Sequence, residues 1–245
     1  METRESTTHW THLRPARATV VLLFLAASLT GAFSCDRNKK EDGNVVAGKS
    51  GLDGHARLSG AATPKSYDVS FAIDPDQDTF SGEVTIEVDL SAESEQVALH
   101  AEELTITSAT IKPASGEAVT ATVMLGENGG VALAPKRALA PGSYTIEMAF
   151  TGPLDEPPNG LYRVKEKDHW YAFTQFEPLE ARRAFPCFDE PRFKTPFTVE
   201  ISSPEKFFVA ANGPLKEKTK DKEREGWVRH SFTVTRPLPT YLVAM

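Results

Sequence analysis

From Ser66 onward, apolar residues recur at every second position, and this spacing limits the chain to strands. Tyr67, Val69, Phe71 and Ile73 alternate with polar or small neighbours. After the turn at Asp74-Pro75-Asp76 the same rhythm resumes at Val84, Ile86 and Val88, and it returns at Tyr144, Ile146 and Met148 behind Pro141-Gly142. Leu99–Ile106 and Ser108–Ile111 read as extended pieces, and Val119–Leu125 with Val131–Leu133 reads as a hairpin around Glu127-Asn128-Gly129-Gly130. Trp170–Phe176, Phe197–Ile201, Phe207–Ala210, Trp227–Val234 and Tyr241–Ala244 complete the predicted strands. No long segment carries a helical period, and Leu179–Ala184 allows one helical turn. Closely spaced strands with turn signals between them predict an all-β domain, a sandwich or an open barrel. The mixed-charge run Lys216–Glu225 reads as a solvated hairpin tip, because its signs alternate.

The densest cluster of chemistry is Thr174–Pro191, TQFEPLEARRAFPCFDEP. It leaves the extended run WYAFTQFE and becomes a loop punctuated by Pro178, Pro186 and Pro191, whose rings fix the local φ angles. Side chains two apart on a strand share a face, which groups Tyr171, Phe173, Gln175 and Glu177. A carboxylate beside an amide and next to aromatic rings can hold an ammonium group; the same pair can equally be an exposed strand end. Arg182, Arg183, Asp189 and Glu190 are candidates for ion pairs that hold the loop. Asp189 and Glu190 are adjacent, so on extended backbone they point to opposite faces and make a poor dyad.

This block resembles the signature near the end of the N-terminal domain of the zinc aminopeptidases of the aminopeptidase N family. LHAEELTI (Leu99–Ile106) is similar to that family's LHA-x-x-L-x-I strand, and FSGEVTIEV (Phe80–Val88) to its F-x-G-x-V-x-I strand. Leu161–Arg163 resembles the start of the signature hairpin. FFVAANGPL resembles the A-x-S-N-x-P segment, with Ala211 and Gly213 where Ser and Met are common, and PLPTYLVAM resembles P-M-S-T-Y-L-x-A-x. These matches run in the family's order over about Ser66 to Met245.

The resemblance implies a curved, saddle-like β-sandwich or open barrel over residues 65–245, placed before a catalytic domain. It implies that Glu177 contacts the α-ammonium of a peptide with a free N-terminus, and that Gln175 lines the first side-chain pocket. Zinc is implied for the full-length enzyme, held by an H-E-x-x-H helix and a distal glutamate beyond a G-x-M-E-N loop. None of these motifs occurs here, so the chain is expected to be truncated before that domain, to bind no metal and to be inactive alone. A non-catalytic, membrane-tethered β-sandwich acting as a binding or scaffold module is the alternative.

An excess of 34 acidic over 27 basic residues argues against nucleic acid as a partner. Residues 1–35 read as a signal peptide: Arg14 and Arg17 precede a fifteen-residue apolar core, Ala18–Ala32, which is short for a span of about 20 residues. Cys35 then stands where a bacterial lipoprotein box would place the lipidated cysteine, implying an exported chain anchored at the cell envelope by lipid. An ordinary secretory signal with an incidental cysteine is the alternative. Residues 36–64 are polar and almost without large apolar side chains, the composition of a flexible tether. With Cys35 lipidated or removed, Cys187 is alone and no intramolecular disulfide can form. It is expected to be a buried structural thiol between two phenylalanines.

Overall fold

The computed structural model describes the strand Val45–Ala47, residues 57–58 and residues 60–245. Among the described residues thirteen strands follow in chain order: β1 (Val45–Ala47), β2 (Ala62–Ala72), β3 (Thr79–Leu90), β4 (Val97–His100), β5 (Thr105–Pro113), β6 (Val119–Leu125) and β7 (Gly130–Pro135). They continue with β8 (Gly142–Pro153), β9 (Gly160–Glu166), β10 (His169–Gln175), β11 (Phe197–Pro204), β12 (Leu215–Lys220) and β13 (Trp227–Phe232). Among the described residues the only helical elements are two single turns of 3₁₀ helix, Ala181–Arg183 and Thr240–Leu242. The all-β, sandwich-like class expected from the alternation is the one observed.

Eleven strands hydrogen-bond into one mixed sheet in the order β12-β13-β11-β2-β3-β8-β5-β6-β7-β4, with β1 lying parallel to β6. Most neighbours are antiparallel; β11 runs parallel to β2. The join between β5 and β6 is narrow, pairing only Thr110 with Thr120 and Ile111 with Val119. The strands on either side of it contribute their inner faces to one contiguous core. Tyr67, Val69, Phe71, Val84, Ile86, Val88, Ile146, Met148 and Phe150 all point into that core, which is the alternation read from the sequence. Burying a side chain of this size contributes about 1.5–3 kcal/mol, so these strands hold themselves together by area. The glycine of FSGEV serves packing: a Cβ on Gly82 would lie 2.7 Å from the ring of Phe150 and 2.6 Å from the Ser70 carbonyl oxygen.

Several expectations need correction. Phe207–Ala210 is not a strand: Phe207 closes a turn onto the Pro204 carbonyl, and no neighbour offers a ladder. Tyr241–Ala244 is not a strand either, because Leu242 and Val243 bond back to Pro239 and Thr240 in a 3₁₀ turn. The charged run contains a strand, β12, that alternation could not reveal, since both of its faces are exposed at the edge of the sheet. Three residues of the stretch read as a tether, Val45–Ala47, pair with β6, and β2 starts at Ala62. The leader and Cys35 lie outside the described residues.

Candidate recognition hairpin and the buried loop behind it

β9 and β10 form a separate two-stranded ribbon, with Tyr171 opposite Val164, Phe173 opposite Tyr162 and Gln175 opposite Gly160. An isolated ribbon of this kind is marginal on its own, so its orientation depends on what it rests against. Tyr171, Phe173 and Gln175 lie on its exposed face, as the two-residue spacing requires, and the rings of Tyr171 and Phe173 stack with centroids 6.5 Å apart. β10 ends at Gln175; Glu177 follows in a turn, still exposed, next to a cis Glu177–Pro178 peptide. The Gln175 side-chain amide donates to the Glu177 backbone carbonyl at 3.4 Å, and both residues are exposed. Tyr171, Phe173 and Gln175 thus share one exposed face of β10, and Glu177 follows just beyond the strand end. On the opposite side Phe176 is buried and meets the edge of Phe185 at 6.1 Å.

Behind this display the chain is sunk in protein. Of the ten residues Ala181 to Glu190, all but Arg183 are buried. A buried loop without ladder partners must satisfy its polar groups by other means. Arg182 donates through Nε to Asp189 Oδ2 at 2.9 Å, and its two terminal nitrogens reach the Asn128 and Asp189 carbonyls, each at 3.2 Å. Asp189 Oδ1 accepts from the Thr240 hydroxyl at 2.6 Å, and the Asp189 amide donates to His100 Nδ1 at 3.2 Å. Arg183 is the hub of a second cluster with Glu102, Glu103 and Glu180. Glu190 turns the other way, to Arg192 and the Leu58 amide. All four charged residues singled out in the loop therefore form ion pairs, and Asp189 and Glu190 do not share a site. His100 and Cys187 exchange backbone hydrogen bonds, which fastens the loop to β4.

Cys187 is fully buried and free. Burial first, and then the nearby Asp189 carboxylate, push its thiol well above the usual range, against the opposing pull of Arg182. A thiol so placed stays protonated and is a poor nucleophile. Tyr67 accepts the Phe188 amide through its hydroxyl at 3.0 Å, and burial likewise raises its pKa well above the ordinary value.

Beside the hairpin lies an open, mostly apolar cleft of about 760 Å³, bordered by Ile73, Tyr171, Phe173, Phe208 and Met245. Phe208 is 93% exposed on its rim. Among the described residues no group of three His, Cys, Asp or Glu side chains is placed to hold a metal ion.

The profile of the Peptidase M1 N-terminal domain matches residues 63–242. The chain belongs to the peptidase M1 family. This M1 domain is 30% identical to endoplasmic reticulum aminopeptidase 1 of Rattus norvegicus over 94% of its own length and 25% of that protein. It is 33% identical to aminopeptidase M1-A of Oryza sativa subsp. japonica over 78% of its length and 23% of the rice protein. With human glutamyl aminopeptidase the identity is 32%, over 76% of this chain and 20% of the relative. The chain thus spans about a fifth to a quarter of the length of these relatives. The family resemblance read from the ordered motifs is borne out.

Three residues of the same region make contacts that the sequence does not announce: Thr174, Asn212 and Thr240. Thr174 stands next to Gln175 on the inner side of β10, and its hydroxyl bonds the backbone of Met245. Asn212 and Thr240 lie 38 and 66 residues further on (212 − 174 and 240 − 174), so no local pattern links them.

Proposed function

We propose that this M1 domain is the substrate-recognising part of a zinc metallo-aminopeptidase, which removes residues from the free N-terminus of peptides. Glu177 would receive the α-ammonium, and Gln175 would border the pocket for the first side chain. The observation that carries this reading is the exposure of both Gln175 and Glu177 at the open end of a hairpin, on either side of the buried Phe176. An ammonium about 4 Å from a carboxylate gains on the order of 4 kcal/mol before desolvation where the effective dielectric is near 20. For a fully wet pair the gain shrinks to about 1 kcal/mol or less. Glu177 is exposed in this chain, so strong recognition requires a second surface to cover it.

The catalytic domain that the resemblance places after this one would supply that surface and the zinc. In this reading the part of the M1 domain is to bind and orient. A carboxylate at a fixed distance from the reacting carbonyl acts as a ruler: it selects the first peptide bond and disfavours internal ones. The same reading extends to location. Cys35 would carry a lipid that holds the protein at the cell envelope, with residues 36–44, ahead of β1, as its tether.

The test is hydrolysis by the longer protein of a dipeptide with a free amine and of its N-acetylated counterpart. Turnover confined to the free-amine substrate, with one zinc per protein, is expected; equal turnover of both contradicts recognition of the ammonium. For the anchor, Cys35→Ser should abolish lipid labelling and release the protein from membranes, and persistence of the label contradicts it.

A further inference from the structure

The last six residues, Thr240 to Met245, are gripped by side chains from three separate segments. Thr240 is tied to Asp189 of the buried loop at 2.6 Å. Asn212 binds the backbone twice: its amide donates to the Leu242 carbonyl and its oxygen accepts from the Ala244 N–H, each at 2.8 Å. A carbonyl and an N–H two residues apart are what an extended chain offers to one neighbour in a ladder. The Asn212 side chain takes the place of that neighbour, and among side chains of its length only a primary amide donates and accepts together. The next position has no room for a side chain, since a Cβ on Gly213 would meet the Thr233 carbonyl oxygen at 2.4 Å. From the other side, the Thr174 hydroxyl accepts from the Met245 N–H at 3.0 Å and donates to the Met245 carbonyl at 3.2 Å. Val243, between these contacts, is buried.

Thr174 precedes Gln175 in β10, in a ribbon that belongs to no larger sheet. We propose that Thr174 and Asn212 are positioning residues, which lock the recognition hairpin to the segment Leu242–Met245 and thereby set where Gln175 and Glu177 stand relative to the catalytic domain of the aminopeptidase reading. The clamp itself rests on the hydrogen bonds above; its effect on substrate rests on the aminopeptidase reading. Losing the clamp leaves Gln175 and Glu177 chemically intact and lets their position wander.

Residue-resolved amide hydrogen exchange of the full chain tests the clamp without reference to activity. Thr174→Val and Asn212→Ala should each accelerate exchange at Ala244 and Met245 by about tenfold, the loss of one or two hydrogen bonds. Thr174→Val should also accelerate Gln175 and Phe176, and Thr174→Ser, which keeps the hydroxyl, should restore the slow rates. Unchanged exchange at Gln175 and Phe176 in Thr174→Val overturns the proposal. In the longer protein, Thr174→Val and Asn212→Ala should raise KM about three- to tenfold while kcat stays within about twofold, with Thr174→Ser rescuing KM. An unchanged KM also overturns it. If the wild-type longer protein shows no preference for a free amine, the aminopeptidase reading fails, and the exchange data still decide the clamp.

Discussion

The inner face of the eleven-stranded sheet and the loop Ala181–Glu190 are both buried, yet they are held by different physics. The sheet buries alternate apolar side chains against one core. Its backbone groups are satisfied by neighbouring strands, so a side chain matters mainly for its volume. The loop has only a single backbone bridge, between Cys187 and His100, and its charges are met by named partners: Arg182 by Asp189 and Asn128, Asp189 by Thr240 and His100. A volume can be approximated by another residue, whereas a hydrogen-bond partner cannot. The sheet should therefore tolerate substitutions that preserve shape, and the loop should not.

The largest effect follows from Asp189→Asn. The change is isosteric, yet it leaves the buried Arg182 guanidinium without its counter-charge. Breaking such a pair costs about 3–5 kcal/mol, measured as a shift in the urea midpoint at constant slope. In the sheet, Ile146→Val removes a methylene at a site with no exposure and should cost only about 0.5–1.5 kcal/mol. A costlier Ile146→Val than Asp189→Asn would break the comparison.

A third effect is confined to acid. Burial alone would raise the pKa of Asp221, but the Glu223 N–H, the Ser202 side chain, the Arg224 N–H and the Arg229 charge together hold it below the ordinary value. A depressed carboxylate contributes stability that is fully present above its unfolded value of about 3.9 and is lost as pH falls through the lower folded value. The midpoint difference between the native chain and Asp221→Asn should be constant at neutral pH and shrink as pH falls below about 4. A difference that grows on acidification would reverse the assignment.

The same contrast explains what could be read from residues alone. β2, β3 and β8 were legible because one face of each strand is apolar and the other is not. β12 was not, because Lys216, Glu217 and Lys218 belong to a strand exposed on both faces at the sheet edge. Phe207–Ala210 is apolar and β-prone, but a strand needs a partner, and Phe208 projects into solvent. The outward face of the hairpin was legible through the spacing of Tyr171, Phe173, Gln175 and Glu177. What fixes that face was hidden: the Asp189–Thr240 and Thr174–Met245 contacts join residues 51 and 71 positions apart through side-chain geometry that leaves no periodic trace.

In the proposed function the hairpin displays Glu177 for recognition while the buried loop bears the structural load. Glu177→Ala separates the two roles in one pair of measurements. The urea midpoint of this chain should stay within about 0.5 kcal/mol of the parent, as for an exposed residue outside the core. In the longer protein, kcat/KM on a free-amine dipeptide should fall by about 2 kcal/mol or more at unchanged zinc content, with Glu177→Gln milder because its amide oxygen still accepts a hydrogen bond. Equal kcat/KM for the three proteins, or a loss of stability that accounts for the loss of activity, would contradict the claim.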